Sequence, residues 1–224
     1  MMLTLPQFTE DLLNKGKRKH NIIFLGMSGT GKTRWSRLLA EKFNYDHFEV
    51  DELISGSDAF KDIVRGIGGQ DEAEKLGKYF GRPWGDDFRE KEKKYLAIEQ
   101  EVMSRRFPPG SILDLTGSAI YHPEQMRKIA KTGLVIYLVV NGNDKKEMLH
   151  VYVKNPKPVC WNGNFNRKQD EGNEAALERC FSEMINEREK LYEEYADIKI
   201  PYGFLKGIND ANEFVEHVKK KLRS

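Results

Sequence analysis

The run Gly26-Met27-Ser28-Gly29-Thr30-Gly31-Lys32-Thr33 follows the pattern of a glycine, four residues and then Gly-Lys-Ser/Thr. Its chemistry is phosphate binding. Glycines let consecutive backbone N–H groups curl around an anion without Cβ obstruction, and a helix begun at Gly31 aims the positive end of its dipole at the same anion. Gly26, Ser28, Gly29, Thr30, Gly31, Lys32 and Thr33 are therefore the expected ATP-binding set. Within it, Lys32 reaches for the β and γ phosphates, and the Thr33 hydroxyl suits a magnesium ion that keeps most of its waters.

Charged residues further along could complete a phosphoryl-transfer site. Glu49 and Asp51 alternate with apolar neighbours. In a strand that spacing puts both on one face, one near a metal and one near an acceptor hydroxyl. In the alternative, Asp51 and Glu52 open a helix and complement its dipole. Arg89 sits in the expected first turn of a helix, where a cation is opposed by the dipole and wants an anion; Glu92 or a ligand would serve. Asp114 reads either as a magnesium anchor or as a satisfied polar group of the sheet. Arg188 interrupts an apolar helical stripe, four residues from both Met184 and Tyr192. A guanidinium aimed inward needs a partner, either an internal carboxylate such as Asp197 or a bound substrate.

The elements that must carry these residues follow from hydrophobic period. Asn21 to Leu25 is a short apolar run of the kind buried on both faces of a parallel sheet. Trp35, Leu38, Leu39 and Phe43 then recur at helical spacing. His47 to Ile54 begins as a strand, Ser111 to Ile120 is a third running into a glycine turn, and Gly133 to Val140 is continuous enough to demand an interior place. ADIKIP supplies a last strand, and helices are predicted over 87–103, after residue 172 with an inward stripe from Leu177 to Tyr195, and over 209–222. Residues 55–87 read as a helical excursion punctuated by glycines, with Tyr79 and Trp84 either closing over a substrate or packing among themselves. Residues 155–172, rich in Pro, Asn and Gly without periodicity, read as a mobile lid. Its cations Lys157, Arg167 and Lys168 are either brought onto transferring phosphates or are ordinary surface charge. Strands alternating with helices behind a P-loop give a three-layer α/β/α sandwich around a parallel sheet of about five strands, of P-loop NTPase type.

Composition sets bounds. At 224 residues the chain suits one domain (21–224) preceded by an N-terminal extension (1–20), with the substrate-binding helical region over about 55–110. Lys and Arg number 37 against 35 Asp and Glu, so bulk charge argues for neither nucleic acid nor membrane as a partner. The basic patch Lys15, Lys17, Arg18, Lys19 reads as a solvated lead-in, with a weak site for an anionic partner as the other reading. Two cysteines, Cys160 and Cys180, offer no disulfide framework, and no signal-like or membrane-length apolar run is present, so a cytoplasmic protein is expected.

The sequence resembles the shikimate kinase family over roughly 21–201. The resemblance rests on GMSGTGKT, the acidic pair of EVDELI, the run Phe88-Arg89-Glu90-Lys91-Glu92, the turn TGSAI and REKLYEEYAD. It implies a monomeric kinase using ATP and magnesium on a small hydroxy acid, shikimate, and with it a place in aromatic amino acid biosynthesis. By the same resemblance Asp51 contacts the acceptor hydroxyls and accepts a proton, Arg89 and Arg188 grip the substrate carboxylate, Gly117 lies against the substrate ring, and Lys157 matches a lid arginine. Thr33 and Glu49 hold the metal. Departures are Glu49 for Asp, Thr116 and Ser118 for glycines, and Lys157 for Arg; side chains at 116 and 118 are expected to push into the ring's space. The longer interval from Asp51 to Arg89 keeps open a kinase for another polyol or hydroxy acid, and a nucleotide-binding module without transfer is the remaining alternative.

Overall fold

The computed structural model describes residues 3–154 and 158–223, so Lys157 lies outside the described residues. In chain order the helices and strands are α1 (Leu5–Leu13), β1 (Asn21–Leu25), α2 (Lys32–Phe43), β2 (Asp46–Glu49), α3 (Val50–Gly56), α4 (Asp58–Ile63), α5 (Glu72–Phe80), α6 (Phe88–Met103), β3 (Ser111–Asp114), α7 (Pro123–Ala130), β4 (Gly133–Val139), α8 (Gly142–Lys154), α9 (Asn173–Tyr195), β5 (Ile198–Pro201), α10 (Tyr202–Lys206) and α11 (Ala211–Lys221). The five strands form one sheet in the order β2-β3-β1-β4-β5, and every pairing is parallel.

Side-chain alternation along the strands builds two cores. Ile22 and Phe24 of β1, with Leu134, Ile136 and Leu138 of β4, face Phe8, Trp35, Leu39, Phe214 and Val218 on α1, α2 and α11. Ile23, Leu25, Leu113, Val135 and Tyr137 face the other way, onto α3, α6, α7 and α9. Burying each such side chain contributes about 1.5–3 kcal/mol, which fixes strand register and therefore which residues arrive at the strand ends. The result is the three-layer α/β/α sandwich expected, with β4 interior between β1 and β5.

The sheet puts all its carboxyl ends on one edge, where open α/β sheets bind ligands. Gly26 follows β1 there, Glu49 ends β2 and Asp114 ends β3, Glu49 and Asp114 being directly paired across the ladder.

Of the two readings of Asp51 the structure takes the helical one: the chain is helical from Val50, and Asp51 and Glu52 lie in the first turn of α3 rather than on a strand face with Glu49. Other expectations change. The third strand stops at Asp114, four residues into its expected span. Of the basic patch read as a solvated lead-in, Lys15, Lys17 and Lys19 are exposed, but Arg18 and the helix before the patch are packed. Phe8 and Leu12 are buried, Asp11 bonds the Lys19 amide (3.0 Å) and His20 Nδ1 (2.7 Å), and Arg18 donates to Asn44 O (2.7 Å) and Phe43 O at the end of α2. Tyr79 and Trp84 pack on aromatic neighbours, Tyr79 on Phe80 and Trp84 on Phe165.

Candidate active site

The P-loop is shaped by its glycines. Gly26 sits at φ 140°, and a Cβ there would come within 2.9 Å of Leu138 O on β4, so only glycine lets the loop leave β1 at this angle. Gly31 caps α2 in the left-handed region at φ 84°. The Met27 carbonyl accepts from Thr30 Oγ1 (2.8 Å) and from Lys32 Nζ (3.1 Å), which folds the lysine back over the loop. Lys32 is buried, and burial lowers its ammonium; Asp114 and Asp51 counter that fall, while Arg188 adds to it. One buried lysine thus sits among two carboxylates and a guanidinium drawn from three further elements.

The carboxylates divide into paired and open groups. Thr33 Oγ1 donates to Asp114 Oδ2 at 2.6 Å, while Asp114 Oδ1 is buried with no hydrogen-bond partner. Burial raises the Asp114 carboxyl, with Lys32 and Thr33 opposing. A hydroxyl beside a carboxylate oxygen left open is a donor set that fits a magnesium ion, which takes one or two protein oxygens and keeps its waters. Glu49, the expected metal ligand, is neighbour to this pair but is engaged by Arg37 Nε on Oε1 and lies 3.6 Å from His47 Nδ1. The structure therefore brings Asp114 onto Thr33, and Glu49 one strand further out.

Asp51 is exposed as a residue, yet its carboxylate is largely surrounded by protein. Desolvation pushes it up to about 6; Lys32 opposes the rise, and Glu99, Asp114 and Glu49 add to it. A carboxylate so placed retains a proton more readily than a free one and is a stronger base when ionised.

Arg188 is 3% exposed on α9. Its Nε donates to Tyr121 Oη (3.0 Å), Nη2 to Cys160 O, and Nη1 approaches Met27 Sδ at 3.6 Å. All of these partners are neutral. Asp197, the alternative internal anion, instead accepts from the Val135 amide at 2.9 Å. Glu92 is the carboxylate that senses both arginines: burial raises it, and its contacts with the Asn162 and Trp161 amides, then Arg188 and Arg89, lower it. Its Oε1 accepts those amides directly. Arg89 is exposed at the start of α6, with no hydrogen bond or ion pair among the described residues. Both cations thus act on Glu92 without a hydrogen bond or ion pair to it.

Gly117 lies between these groups. A Cβ built on it would stand 3.4 Å from Arg188 Nη1, 3.4 Å from Ser28 N of the P-loop and 3.7 Å from Tyr192 Oη, and its carbonyl accepts from Tyr192 at 2.6 Å. Thr116 and Ser118 do not push into this space. Both hydroxyls turn the other way, to Glu99 Oε1 on α6, at 2.6 Å each.

The expected lid is anchored where it is described. Trp161 is buried against Tyr152, Phe165 and Phe181, and Glu92 holds its amide. Arg167 and Lys168 are exposed; Arg167 Nη1 reaches Asn173 (3.3 Å) and the Lys168 amide reaches Glu171 (3.2 Å), so neither is bonded to the P-loop. Sequence reasoning passed over Glu99 altogether. The signal was available: it falls on the inward stripe of α6, four residues from Tyr95 and three from Val102, as Arg188 does on α9.

A P-loop at the carboxyl edge of a five-stranded parallel sheet, with acidic and cationic side chains gathered beside it, is the arrangement of a P-loop small-molecule kinase. The chain belongs to the shikimate kinase family, whose family model, described as shikimate kinase, matches residues 70–219. The P-loop and Asp51 precede that span, and the sheet brings them to it. A shikimate kinase of Chlorobium phaeovibrioides is 25% identical over 181 residues, covering 80% of this chain and 79% of that protein. A shikimate kinase of Nitrosomonas europaea is 25% identical over 203 residues, covering 91% and 78%. The solved shikimate kinase of Bacteroides thetaiotaomicron has the same fold, with a TM-score of 0.56, 15% identity, and 92% and 99% of the two chains covered.

Proposed function

We propose that this protein transfers the γ-phosphoryl group of ATP to a ring hydroxyl of shikimate, giving shikimate 3-phosphate. The observation that carries the reading is Arg188: a buried guanidinium with only neutral partners, in contact distance of Gly117 and close to the P-loop lysine. An uncompensated buried cation is costly, and a substrate carboxylate would relieve it. Arg89, which like Arg188 acts on Glu92, supplies the second cation for that carboxylate.

In this reading the P-loop amides of 26–33 and Lys32 hold the β and γ phosphates. Thr33 and Asp114 hold the magnesium ion that accompanies ATP, with Glu49 reaching it through water. That ion neutralises charge developing on the phosphoryl oxygens. Asp51, on the acceptor side of Lys32, orients the hydroxyl and takes its proton as the in-line displacement proceeds. Lys157, with Arg167 as alternative, closes the lid over the transferring group; a lysine gives a point charge without a bidentate fork, so that support is weaker than arginine would give. The anchored Trp161 segment, tied to α6 through Glu92, couples the lid to the acceptor region of about 55–110. A cytoplasmic monomer fits this role, and no helix among the described residues is long and apolar enough to cross a membrane.

The test is coupled ADP release with magnesium and ATP, with and without shikimate, beside a panel of sugar acids and polyols. Release that depends on shikimate is expected. Dependence on another acceptor with silence on shikimate would move the specificity to the longer 55–87 excursion, and ATP binding without acceptor-dependent release would leave a nucleotide-binding module.

A further inference from the structure

The turn after β3 places two hydroxyl side chains on either side of Gly117, where Ser28 N of the P-loop and Arg188 Nη1 each stand 3.4 Å from a Cβ built on the glycine. A single residue holds both hydroxyls. Glu99 is wholly buried on α6; its Oε1 accepts from Thr116 Oγ1 and Ser118 Oγ at 2.6 Å each, and its Oε2 meets His122 Nε2 at 2.7 Å. Each partner belongs to a different point of the segment that links β3 to α7, and Glu99 itself belongs to the helix that starts with Arg89 and carries Glu92. A carboxylate accepts hydrogen bonds and donates none, and buried without donors it would be costly. The donors are thus obliged to turn toward α6. Gly117, between two tethered neighbours, is then fixed against Ser28 N, with its carbonyl held by Tyr192.

We propose that Glu99 is a positioning residue for the acceptor: by holding Thr116 and Ser118 and pinning the Gly117 turn, it sets the width of the acceptor subsite at that turn. The proposal rests on the shikimate kinase reading of the cleft, whose own failure is read separately in the unmodified enzyme. It accounts for how a turn with side chains at 116 and 118 keeps room for a ring.

Four variants test it. Glu99→Leu frees both hydroxyls, and the acceptor kcat/KM should fall about 10-fold or more, mainly through KM, with the ATP KM within about twofold. Glu99→Gln can still accept from both hydroxyls on its oxygen and donate from its amide to a neutral His122 Nε2, so it should stay within about threefold of the unmodified enzyme. Thr116→Val keeps shape and removes one tether, and remains informative if Glu99→Leu does not fold; an acceptor KM raised about threefold is expected. Adding Thr116→Gly and Ser118→Gly to Glu99→Leu removes the side chains that need holding and should recover most of the acceptor KM. An unchanged acceptor KM in Glu99→Leu and Thr116→Val, or acceptor and ATP KM rising together without recovery by the glycines, would overturn the proposal. No acceptor-dependent turnover in the unmodified protein would instead overturn the kinase reading on which it stands.

Discussion

Two arginines in two regions of the molecule meet opposite fates. Arg18, before β1, spends its guanidinium on the Asp11, Phe43 and Asn44 carbonyls and stacks at 3.6 Å over Tyr45, so its charge answers the negative end of α2. Arg188, in the cleft, is more deeply buried and has two neutral oxygens, a sulfur and a tyrosine ring, the ring centroid 5.0 Å away. Around Arg18 three backbone carbonyls take up the guanidinium. Beside the P-loop, Arg188 has no carboxylate bonded to it, Arg89 has no ion pair among the described residues, and Asp114 Oδ1 has no donor. On the proposed function, the difference separates charge used for folding from charge kept for a ligand.

That separation can be broken at several points. Lys32→Ala and Asp51→Asn should each lower kcat by on the order of 10³-fold while thermal unfolding stays near that of the unmodified protein, because both groups serve phosphate and acceptor rather than the cores. Retained turnover in Asp51→Asn would remove that residue from the chemistry. Arg188→Met should lower kcat/KM for the acceptor about 100-fold, yet shift the stability of the ligand-free protein by less than about 1 kcal/mol, since a cation without its anion adds little to the fold. Denaturant unfolding beside steady-state kinetics checks both halves; a large loss of stability would mean Arg188 is chiefly structural.

The pH profile sharpens the same point for Asp51. Its carboxyl is raised to about 6, so the ionised, proton-accepting form is lost as pH falls through that value and is fully present above it. Acceptor kcat/KM should therefore be level above pH 7 and fall about tenfold per unit below about 6. A profile level down to pH 5 would contradict a base held in this environment. Arg18→Met is the smallest effect on activity and the mirror image of Arg188→Met: a loss of about 1–2 kcal/mol in stability, with kcat and both KM values within about twofold.

Strong local patterns made much of this legible. GMSGTGKT, the apolar run of β4 and the interrupted stripe of α9 each carry their meaning within a few residues, so the sheet type, the phosphate cradle and the unpaired Arg188 could be read directly. What depended on distant partners could not. Arg18 is structural because it reaches carbonyls 25 and 26 residues away, and no charge pattern records a backbone acceptor. Thr116 and Ser118 looked like obstructions because their partner, Glu99, lies 17 and 19 residues earlier on a packed helix. For Asp51 the sequence left a strand face and a helix start both open, and only the chain's passage from β2 into α3 decided for the helix.

The most direct test of a cleft built to receive a carboxylate is the rate of acceptor-dependent ADP release with shikimate set against its methyl ester, which keeps the ring and hydroxyls and removes the charge. The account predicts kcat/KM about 100-fold lower for the ester, and a much smaller difference in Arg188→Met. Equal turnover of acid and ester by the unmodified enzyme would contradict it.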